Sequence, residues 1–299
     1  MIKENIDVFC VGQASYDLTF RINHQPMADE KMTAAQMFQC GGGPAANAAF
    51  TVASLGGTSV FAGYLGNDYF GDLHFEEFKK AGVQTKFITR NRIPTALSVI
   101  FSKPDGNRSV VNYKDSNHFL KFKDFDFQNV KLGIFLFDGH EPELSNYLIE
   151  HAKKYKIPSI LDAGSVHKGT SLLIDQVDYI IASEKFALEY SGKDSVEKAI
   201  INIGDSAIAT VITLGEKGLI WKKGTKQGML DARKVKVVDT TGAGDVFHGA
   251  FALGIVRKME WKTLLQFANT AAATCCTAVG GRSAISDRKN IAKILAEFG

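Results

Sequence analysis

The sequence predicts an α/β fold with three layers, in which helices cover both faces of a mostly parallel central sheet and a small second sheet stands beside it. Two observations support this prediction. Short apolar segments alternate with longer amphipathic segments along most of the chain, which indicates repeated strand–helix–strand crossovers. Two pairs of strand-like segments have no helical segment within the pair, which indicates a separate antiparallel sheet.

The central elements follow from the hydrophobic pattern. Near-continuous apolar runs bounded by polar residues or glycine are typical of strands that are buried on both faces. Such runs predict strands over residues 6–11, 59–65, 133–138, 159–162, 177–182 and 207–214. Segments with the period of a helix predict helices over residues 45–55, 73–81, 143–155, 196–203, 246–257, 261–279 and 287–298.

The small sheet is predicted from the four remaining strand-like segments, which are residues 18–22, 32–39, 96–102 and 109–113. Pro104-Asp105-Gly106 lies between the last two, and such a sequence between two β-rich runs is typical of a hairpin turn. We expect this sheet to act as a lid over a ligand cleft. A flap with no role in binding is the alternative that the pattern leaves open.

The composition excludes several classes of protein. The 299 residues are 45% hydrophobic and 22% charged, which is typical of a globular protein and not of a disordered one. No apolar run approaches the ~18 residues that cross a bilayer. The 35 basic and 32 acidic residues are well mixed, so we expect no nucleic-acid partner. The 4 cysteines lack metal-site spacing and the N-terminus lacks a secretory pattern, so we expect a cytoplasmic protein with reduced thiols.

The most informative segment is residues 239–250, Asp-Thr-Thr-Gly-Ala-Gly-Asp-Val-Phe-His-Gly-Ala, where a strand-like run ends and a helix begins. Glycines at such a turn let backbone N–H groups converge at the helix N-terminus, where they bind an anion. Asp245 fits a helix cap, but it also fits a base that deprotonates a hydroxyl attacking a phosphoryl group. The Gly-Lys-Ser/Thr sequence of a Walker A loop is missing from this segment, and Phe247 stands where a dinucleotide-binding fingerprint has its third glycine. The segment therefore predicts phosphoryl transfer rather than a Walker A or dinucleotide site.

A second glycine cluster, Gly41-Gly42-Gly43-Pro44, precedes the first predicted helix. Pro44 suits the first turn because its missing N–H costs little there. Three glycines allow the backbone to approach a polar ligand closely, and Asn47 can both donate and accept hydrogen bonds. The alternative is a plain turn at the start of a helix, with Asn47 buried and satisfied.

Together these segments resemble the two signatures of the ribokinase-like (PfkB-type) family of sugar kinases, over nearly the whole chain. Gly56 and Gly66 follow the early block at the family's distances. The resemblance implies a ribokinase-like α/β core from residues 1–16, 41–94 and 115–299 and a β-sheet lid from residues 17–40 and 95–114. It also implies ATP-dependent phosphorylation of a primary hydroxyl of a small sugar such as ribose, fructose, fructose phosphate or sulfofructose. A non-catalytic sugar- or nucleotide-binding protein and a nucleoside kinase are the alternatives.

The resemblance also implies roles for individual residues. For sugar binding it implies Asp17, Gly42, Gly43 and Asn47. For catalysis it implies an anion hole from Gly242, Ala243 and Gly244 and a base at Asp245. For the nucleotide it implies Thr213, Gly215, Gly218 and Asn269. Asp239 and Thr241 match positions that hold a monovalent cation such as K⁺ in many members.

One departure from the family concerns magnesium. Members usually carry Asn-x-x-Glu after the middle strand, in a segment tied to Mg²⁺ and phosphate, whereas Ser183 and Phe186 stand at those two positions here. We expect Glu184 to take part of that role. We still expect Mg²⁺, because the triphosphate of ATP needs a cation to offset its charge.

Further details are similar to the branch that contains kinases of sulfofructose, including His248 after the base and Arg282 after two glycines. In that comparison Lys31 and Asn112 match positions that face the anionic tail of the sugar, and His140 stands where the branch has an arginine. Each also fits a plain surface or loop residue. For Arg282 we expect a structural or cation-loop role.

The resemblance finally implies a homodimer, because lid sheets of this family often pair across a two-fold axis. Four residues would supply the apolar face, namely Phe20, Ile22, Met37 and Phe38. The alternative is that these side chains pack against the core of their own chain.

Overall fold

The computed structural model describes residues 4–103, 108–115, 120 and 130–298. Its strands are β1 (Glu4–Val11), β2 (Ser15–Arg21), β3 (Gln36–Gly42), β4 (Ser59–Gly66), β5 (Gln84–Asn91), β6 (Ala96–Ser102), β7 (Arg108–Tyr113), β8 (Val130–Phe137), β9 (Ser159–Ala163), β10 (Tyr179–Ser183), β11 (Ala209–Thr213), β12 (Leu219–Lys223) and β13 (Lys226–Leu230). Its helices are α1 (Pro44–Ser54), α2 (Tyr69–Ala81), α3 (Pro142–Tyr155), α4 (Lys168–Leu173), α5 (Glu184–Ser191), α6 (Val196–Asn202), α7 (Ala243–Val256), α8 (Trp261–Cys275), α9 (Ser283–Ser286) and α10 (Arg288–Phe298).

The large sheet contains nine strands in the order β13-β12-β11-β10-β9-β8-β1-β4-β5. The strands from β11 to β5 pair in parallel, and β12 and β13 add an antiparallel hairpin at one edge. All six predicted core strands belong to this sheet. Strands β5, β12 and β13 were not predicted, because β5 and β13 are the two edge strands, β12 lies next to an edge, and their partly exposed polar residues interrupt the apolar run that marks a central strand.

The helices confirm the predicted alternation with some differences. Helix α2 begins at Tyr69, before the predicted start, because the Asp68 side chain caps it by accepting a hydrogen bond from Gly71 N at 2.8 Å. Helix α8 ends at Cys275 rather than at residue 279. Helices α4, α5 and α9 were not predicted, because their 6, 8 and 4 residues are too few to show a clear helical period.

Hydrophobic cores fill the space on both sides of the large sheet. Val8 and Cys10 of β1 lie in the core shared with α1, α7 and α8. Phe9 and Val11 of the same strand lie in the opposite core, which α3 covers. Successive side chains of a strand point to opposite faces, so a central strand needs apolar residues at every position. None of the described helices is long and apolar enough to span a membrane.

The small sheet has the strand order β3-β2-β6-β7. The pairs β2–β3 and β6–β7 are antiparallel as predicted, and a parallel pairing of β2 with β6 joins them. The predicted turn at Pro104-Asp105-Gly106 lies outside the described residues. Asp17 pairs with Ser98, and Ser98 pairs with Asn112, so these three side chains lie in one row on one face of the sheet.

The same register divides the four residues expected on an apolar dimer face. Phe20 pairs with Met37, and both lie on the face opposite to Asp17. Phe38 lies on the Asp17 face, because its partner in the register is Thr19, so it does not share one apolar face with Phe20 and Met37. Ile22 is only 3% exposed and packs within its own chain, as the alternative held.

Candidate active site

The residues predicted for sugar and phosphate meet where α1 and α7 pack side by side. Gly249 of α7 lies against the backbone of α1, since a Cβ there would be 2.6 Å from the carbonyl oxygen of Ala48. This close approach brings Asn47 of α1 to the first turn of α7, where its Nδ2 donates a hydrogen bond to Oδ2 of Asp245 at 2.7 Å. Two signatures that are far apart in the sequence therefore form one site.

Helix α7 begins at an open space. Its N-cap residue Gly242 has a φ of 74°, and a Cβ there would lie 2.6 Å from the Cα of Gly281, so both conformation and space require glycine. A Cβ at Gly244 would meet nothing within 4 Å. The N–H groups of a first helical turn have no partners within the helix and carry partial positive charge. The open space at Gly244 is compatible with the predicted anion hole from Gly242 to Gly244, although the N–H of Ala243 also donates to the carbonyl oxygen of Thr240 at 3.3 Å.

Asp245 is the carboxylate in this first turn. Burial raises its pKa above the ordinary range of aspartate, while the hydrogen bond from Asn47 and the charges of His248 and Arg108 limit the rise. A raised pKa makes a carboxylate a stronger proton acceptor. The arrangement can therefore hold an anion and deprotonate a hydroxyl within one helical turn.

The predicted sugar residues Asp17, Gly42 and Gly43 lie together at the start of α1. Oδ1 of Asp17 accepts a hydrogen bond from the Ser15 hydroxyl at 2.9 Å, and burial raises the pKa of this carboxyl while Ser15 opposes the rise. A Cβ at Gly42 would lie 2.2 Å from Oδ1 of Asp17, so glycine leaves room for the carboxylate. Gly43 is the N-cap of α1 with a φ of 96°.

Lys31 and Asn112, the lid residues expected to face an anionic tail, differ in position. Asn112 is exposed on β7 in the same row as Asp17, so it lies on the face of the lid that carries the predicted sugar residue. Lys31 is exposed in the connection between β2 and β3. Within the part of the chain that the structure describes, no hydrogen bond or ion pair ties Lys31 to the site.

His140 follows β8 and is half-buried. Its backbone N–H donates to Oδ1 of Asp138 at 2.8 Å, and its ring stacks on that of His167 with the ring centres 4.5 Å apart. Burial lowers the pKa of His140 below that of a free histidine, so the ring is mostly neutral near pH 7. It therefore supplies less positive charge than the arginine that it replaces in the sequence comparison.

Asp138 joins three segments beneath the site, although the sequence analysis did not single it out. Its Oδ2 accepts hydrogen bonds from the backbone N–H groups of Gln13 at 2.8 Å and Ala45 at 3.1 Å. Its Oδ1 accepts the bond from His140. Ala45 lies in the first turn of α1, so the N-terminus of α1 already holds a carboxylate. The available signal was an aspartate at the carboxyl end of a predicted parallel strand, where binding residues collect.

Asp239 and Thr241, the expected cation ligands, bond to each other. Oδ1 of Asp239 accepts from the backbone N–H and the hydroxyl of Thr241 at 2.9 and 2.7 Å, and Oδ2 accepts from Gly280 N at 2.9 Å. Arg108 of β7 was not predicted, yet its Nη1 donates to the hydroxyls of Thr240 and Thr241 at 2.9 and 3.2 Å. A positive charge from the small sheet therefore stands beside the loop that precedes α7.

The residues expected to bind the nucleotide lie at the end of β11 and on α8. Thr213 is the last residue of β11, and its hydroxyl donates to a backbone carbonyl of β10 at 3.3 Å. Gly215 and Gly218 delimit the next turn, with φ values of 60° and 93°. Asn269 of α8 donates from Nδ2 to the carbonyl oxygen of Asp231 at 2.8 Å, which ties α8 to the segment after β13.

His248, one turn after Asp245, lies buried behind the site. Its Nδ1 is 2.6 Å from the carbonyl oxygen of Gly244, and its Nε2 is 3.2 Å from that of Ile181 and 3.4 Å from Oδ1 of Asp162. Burial raises the pKa of Asp162, and the charge of His248 opposes that rise. These contacts anchor the first turn of α7 on β9 and β10.

Comparison with known proteins identifies the family of this chain. The model of the pfkB family of carbohydrate kinases matches residues 5–288. The chain belongs to this family. It is therefore a phosphotransferase that acts on an alcohol group, which confirms the family and reaction class predicted from the two signatures.

The relatives agree with this assignment. The ribokinase of Arabidopsis thaliana is 29% identical over 306 residues, which cover 95% of this chain and 80% of that protein. The structure of the Arabidopsis thaliana ribokinase complexed with ribose and ATP superposes with a TM-score of 0.81 at 26% identity, covering 99% of both chains. The ribokinase of Thermotoga maritima superposes with a TM-score of 0.79 at 27% identity, covering 97% of this chain and 99% of that one. The ribokinase-like fold is confirmed.

Carbohydrate kinases of this family are expected to use Mg²⁺. The carboxylates near the site fit a metal ion that binds together with the phosphate groups of ATP. Among the described residues, no group of three or more His, Cys, Asp or Glu could hold a metal by itself. Mg²⁺ in phosphate sites commonly binds one or two carboxylates plus phosphate oxygens. Ser183 accepts a hydrogen bond from Phe186 N at 3.0 Å to cap α5, and Phe186 is buried in the core. Glu184 remains as the half-buried carboxylate at the end of β10.

Proposed function

We propose that this protein transfers the γ-phosphate of ATP to a primary hydroxyl of a small, uncharged sugar, with ribose as the first candidate. The contact between Asn47 and Asp245 supports this proposal most directly, because it places a candidate base beside an open helix N-terminus. A protein that only bound ligands would have no need of a base at that point.

In the proposed mechanism, Asp17 and Asn47 hold the sugar hydroxyls at the start of α1. Asp245 accepts the proton of the primary hydroxyl as its oxygen attacks the γ-phosphorus. The new bond from phosphorus to the sugar oxygen forms while the bond to the β-phosphate oxygen breaks, and ADP leaves. The backbone N–H groups from Gly242 to Gly244 stabilise the charge on the phosphoryl oxygens. Mg²⁺, when bound with ATP, would offset the charge of the triphosphate.

The nucleotide would lie across the end of β11, with Thr213, Gly215 and Gly218 at the phosphate and ribose side and Asn269 on the neighbouring helix. Glu184 is the carboxylate that would approach the metal. Arg108 lies close to the loop before α7, so its charge would attract the γ-phosphate. Asp239 and Thr241 remain candidate cation ligands, and a K⁺ titration of the rate tests that assignment.

An uncharged sugar is favoured over a sulfonated or phosphorylated one. His140 is mostly neutral, and Lys31 has no contact with the site among the described residues. Lys114 is a further cation in this region, and its Nζ already donates to Oε1 of Gln13 at 3.2 Å. The resemblance to a ribokinase complexed with ribose and ATP supports the same choice.

The test is a panel of acceptors measured by coupled ADP detection, with and without Mg²⁺. The panel contains ribose, fructose, fructose phosphates, sulfofructose and nucleosides. We expect Mg²⁺-dependent ADP release that ribose stimulates most. Absence of ADP release with every acceptor would favour the non-catalytic binding protein. A preference for sulfofructose would overturn the uncharged substrate and direct attention to Lys114.

We also propose that residues 17–40 and 95–114 form a lid that pairs with a second copy. The outer face of the lid presents Met37, Val111 and Tyr113, whose exposed fractions are 55%, 61% and 58%. Apolar sheet faces of this kind are typical of protein interfaces. We expect sedimentation velocity to show a dimer that Val111→Lys dissociates. A monomeric wild-type protein at high micromolar concentration would contradict the pairing.

A further inference from the structure

Arg282 is a charged side chain that is only 3% exposed beneath the active site. Its Nε donates to Oδ1 of Asn47 at 2.8 Å, and its Nη1 donates to Oε2 of Glu77 at 3.1 Å. Its Nη2 lies 2.8 Å from Nε2 of His74. Two phenylalanine rings, one from α1 and one from α2, lie 4.8 and 5.2 Å from the guanidinium carbon. Every side of the guanidinium is therefore in contact with the protein.

The groups around Arg282 are arranged to keep it charged and in place. A guanidinium can only donate, so Nε2 of His74 must accept, and burial together with the Arg282 charge lowers the pKa of His74 well below its ordinary value. Oε2 of Glu77 accepts from Arg282 and also from Gly41 N at 2.8 Å. A Cβ at Gly41 would lie 2.2 Å from Nη1, so this glycine makes room for the arginine.

Arg282 decides how the Asn47 side chain is oriented. Because the guanidinium has no acceptor, the amide oxygen of Asn47 must face Arg282 and the NH₂ group must face Asp245. If the amide turned over, its oxygen would face the carboxylate oxygen of Asp245, and the two acceptors would repel each other. The structure thus contains a chain of hydrogen bonds from Arg282 through Asn47 to Asp245.

We propose that Arg282 is a positioning residue for phosphoryl transfer, which acts through Asn47 to hold the Asp245 carboxylate in its reactive orientation. The inference rests on the proposed role of Asp245 as the base. Arg282 itself contacts no reacting atom. Its burial and its donor geometry explain why a neutral or flexible side chain would not do the same.

The test is a double-mutant cycle with Arg282→Met and Asn47→Ala, measured as kcat and as KM for each substrate. Misplacement of a catalytic group can cost about 100-fold, so we expect Arg282→Met to lower kcat about 10- to 100-fold with little change in KM for ATP. In the Asn47→Ala background the same change should cost no more than about 2-fold, because the link is already missing. Equal losses in both backgrounds would overturn the proposal.

Arg282→Lys provides a second variant in case Arg282→Met does not fold. Lysine keeps the charge but lacks the fork that contacts Asn47 and Glu77 together, so a loss of kcat with the same dependence on Asn47 is expected. Arg257→Met is the matched control, since Nη2 of Arg257 donates to the carbonyl oxygen of Leu55 at 2.8 Å in a part-buried contact remote from Asn47. It should lower the unfolding temperature without lowering kcat, and an equal loss of kcat would contradict a specific role of Arg282.

Measuring Asp245→Asn in the same assay distinguishes failure of the proposed base from failure of the proposed positioning role of Arg282. If Asp245→Asn keeps near-normal turnover, the base assignment fails and the positioning role fails with it. If Asp245→Asn is inactive but the effects of Arg282→Met and Asn47→Ala are additive, only the positioning role is overturned.

Discussion

The N-termini of α1 and α7 begin with the same local chemistry and yet face different partners. Each follows a glycine with positive φ, 96° at Gly43 and 74° at Gly242, and neither has a side-chain cap. The first turn of α1 donates from Ala45 N to the buried carboxylate of Asp138. The first turn of α7 faces open space at Gly244.

A helix N-terminus attracts an anion wherever it occurs, and the contacts around it in the folded chain determine whether that anion belongs to the protein. At α1 the internal carboxylate of Asp138 already accepts from the first turn, which is consistent with the neutral sugar proposed there. At α7 the N–H of Ala243 donates to the backbone carbonyl of Thr240 at 3.3 Å, and no carboxylate among the described residues accepts from the backbone of the first turn, which is consistent with the proposed phosphoryl site.

Among variants at the two helix N-termini, Asp245→Asn is expected to cause the largest loss of activity. Asparagine retains the size of the side chain but cannot accept the proton, so we expect kcat to fall about 10²- to 10⁴-fold. Sugar binding should remain, because the contacts of Asp17 are unchanged. Coupled ADP detection and calorimetric titration with the sugar measure the two quantities. Near-normal turnover would remove the distinction between the two helix starts.

Gly242→Ala should impair the phosphate end of the site next. The residue has a φ of 74°, and the added Cβ would lie 2.6 Å from the Cα of Gly281. A strained backbone position costs about 1–3 kcal/mol, so we expect a lower unfolding temperature and a loss of kcat on the order of 10²-fold. Gly244→Ala is the folding control, because its Cβ meets nothing within 4 Å. Equal unfolding temperatures for the two variants would contradict the strain at Gly242.

Asp138→Asn tests the internal anion at α1. The carboxylate accepts three backbone N–H groups, and asparagine replaces one accepting oxygen by a donor. We expect a loss of about 1–3 kcal/mol in the free energy of unfolding, measured by urea denaturation. Asp205→Asn, at a carboxylate that is 85% exposed, is the control and should change stability by less than about 0.5 kcal/mol. Similar losses in both variants would show that α1 does not depend on Asp138.

Glu141, at the N-cap of α3, lies outside the two helix starts and should affect the pH dependence of stability rather than turnover. Burial raises its pKa from 4.5 to about 7, although Leu120 N donates to its carboxylate at 2.7 Å. A carboxyl whose pKa is raised by folding stabilises the protein below its unfolded pKa, and this contribution is lost as the pH rises through the folded value. The wild-type unfolding temperature should therefore fall between about pH 5 and about pH 8 more than that of Glu141→Gln. Parallel pH curves for the two proteins would contradict the raised pKa.

Local patterns were sufficient for the central strands, most of the helices and the two glycine signatures. Periodicity reports how a segment is buried, and β1 is apolar at successive positions because it contributes to both cores. The edge strands β5 and β13 escaped prediction because exposure at an edge removes that signal. Phe38 lies on the Asp17 face because the pairing of β3 with β2 sets the face that its side chain occupies.

The fold class, the family and the candidate base could be predicted from the sequence, because they depend on periodicity and on the spacing of residues within short segments. Three contacts could be seen only in the folded chain: Asp138 accepts from the start of α1, Arg108 reaches the loop before α7, and Arg282 donates to Asn47. Each of these contacts joins segments remote in the chain. A hydrogen bond depends on distance and angle in space, and the order of residues along the chain does not contain either.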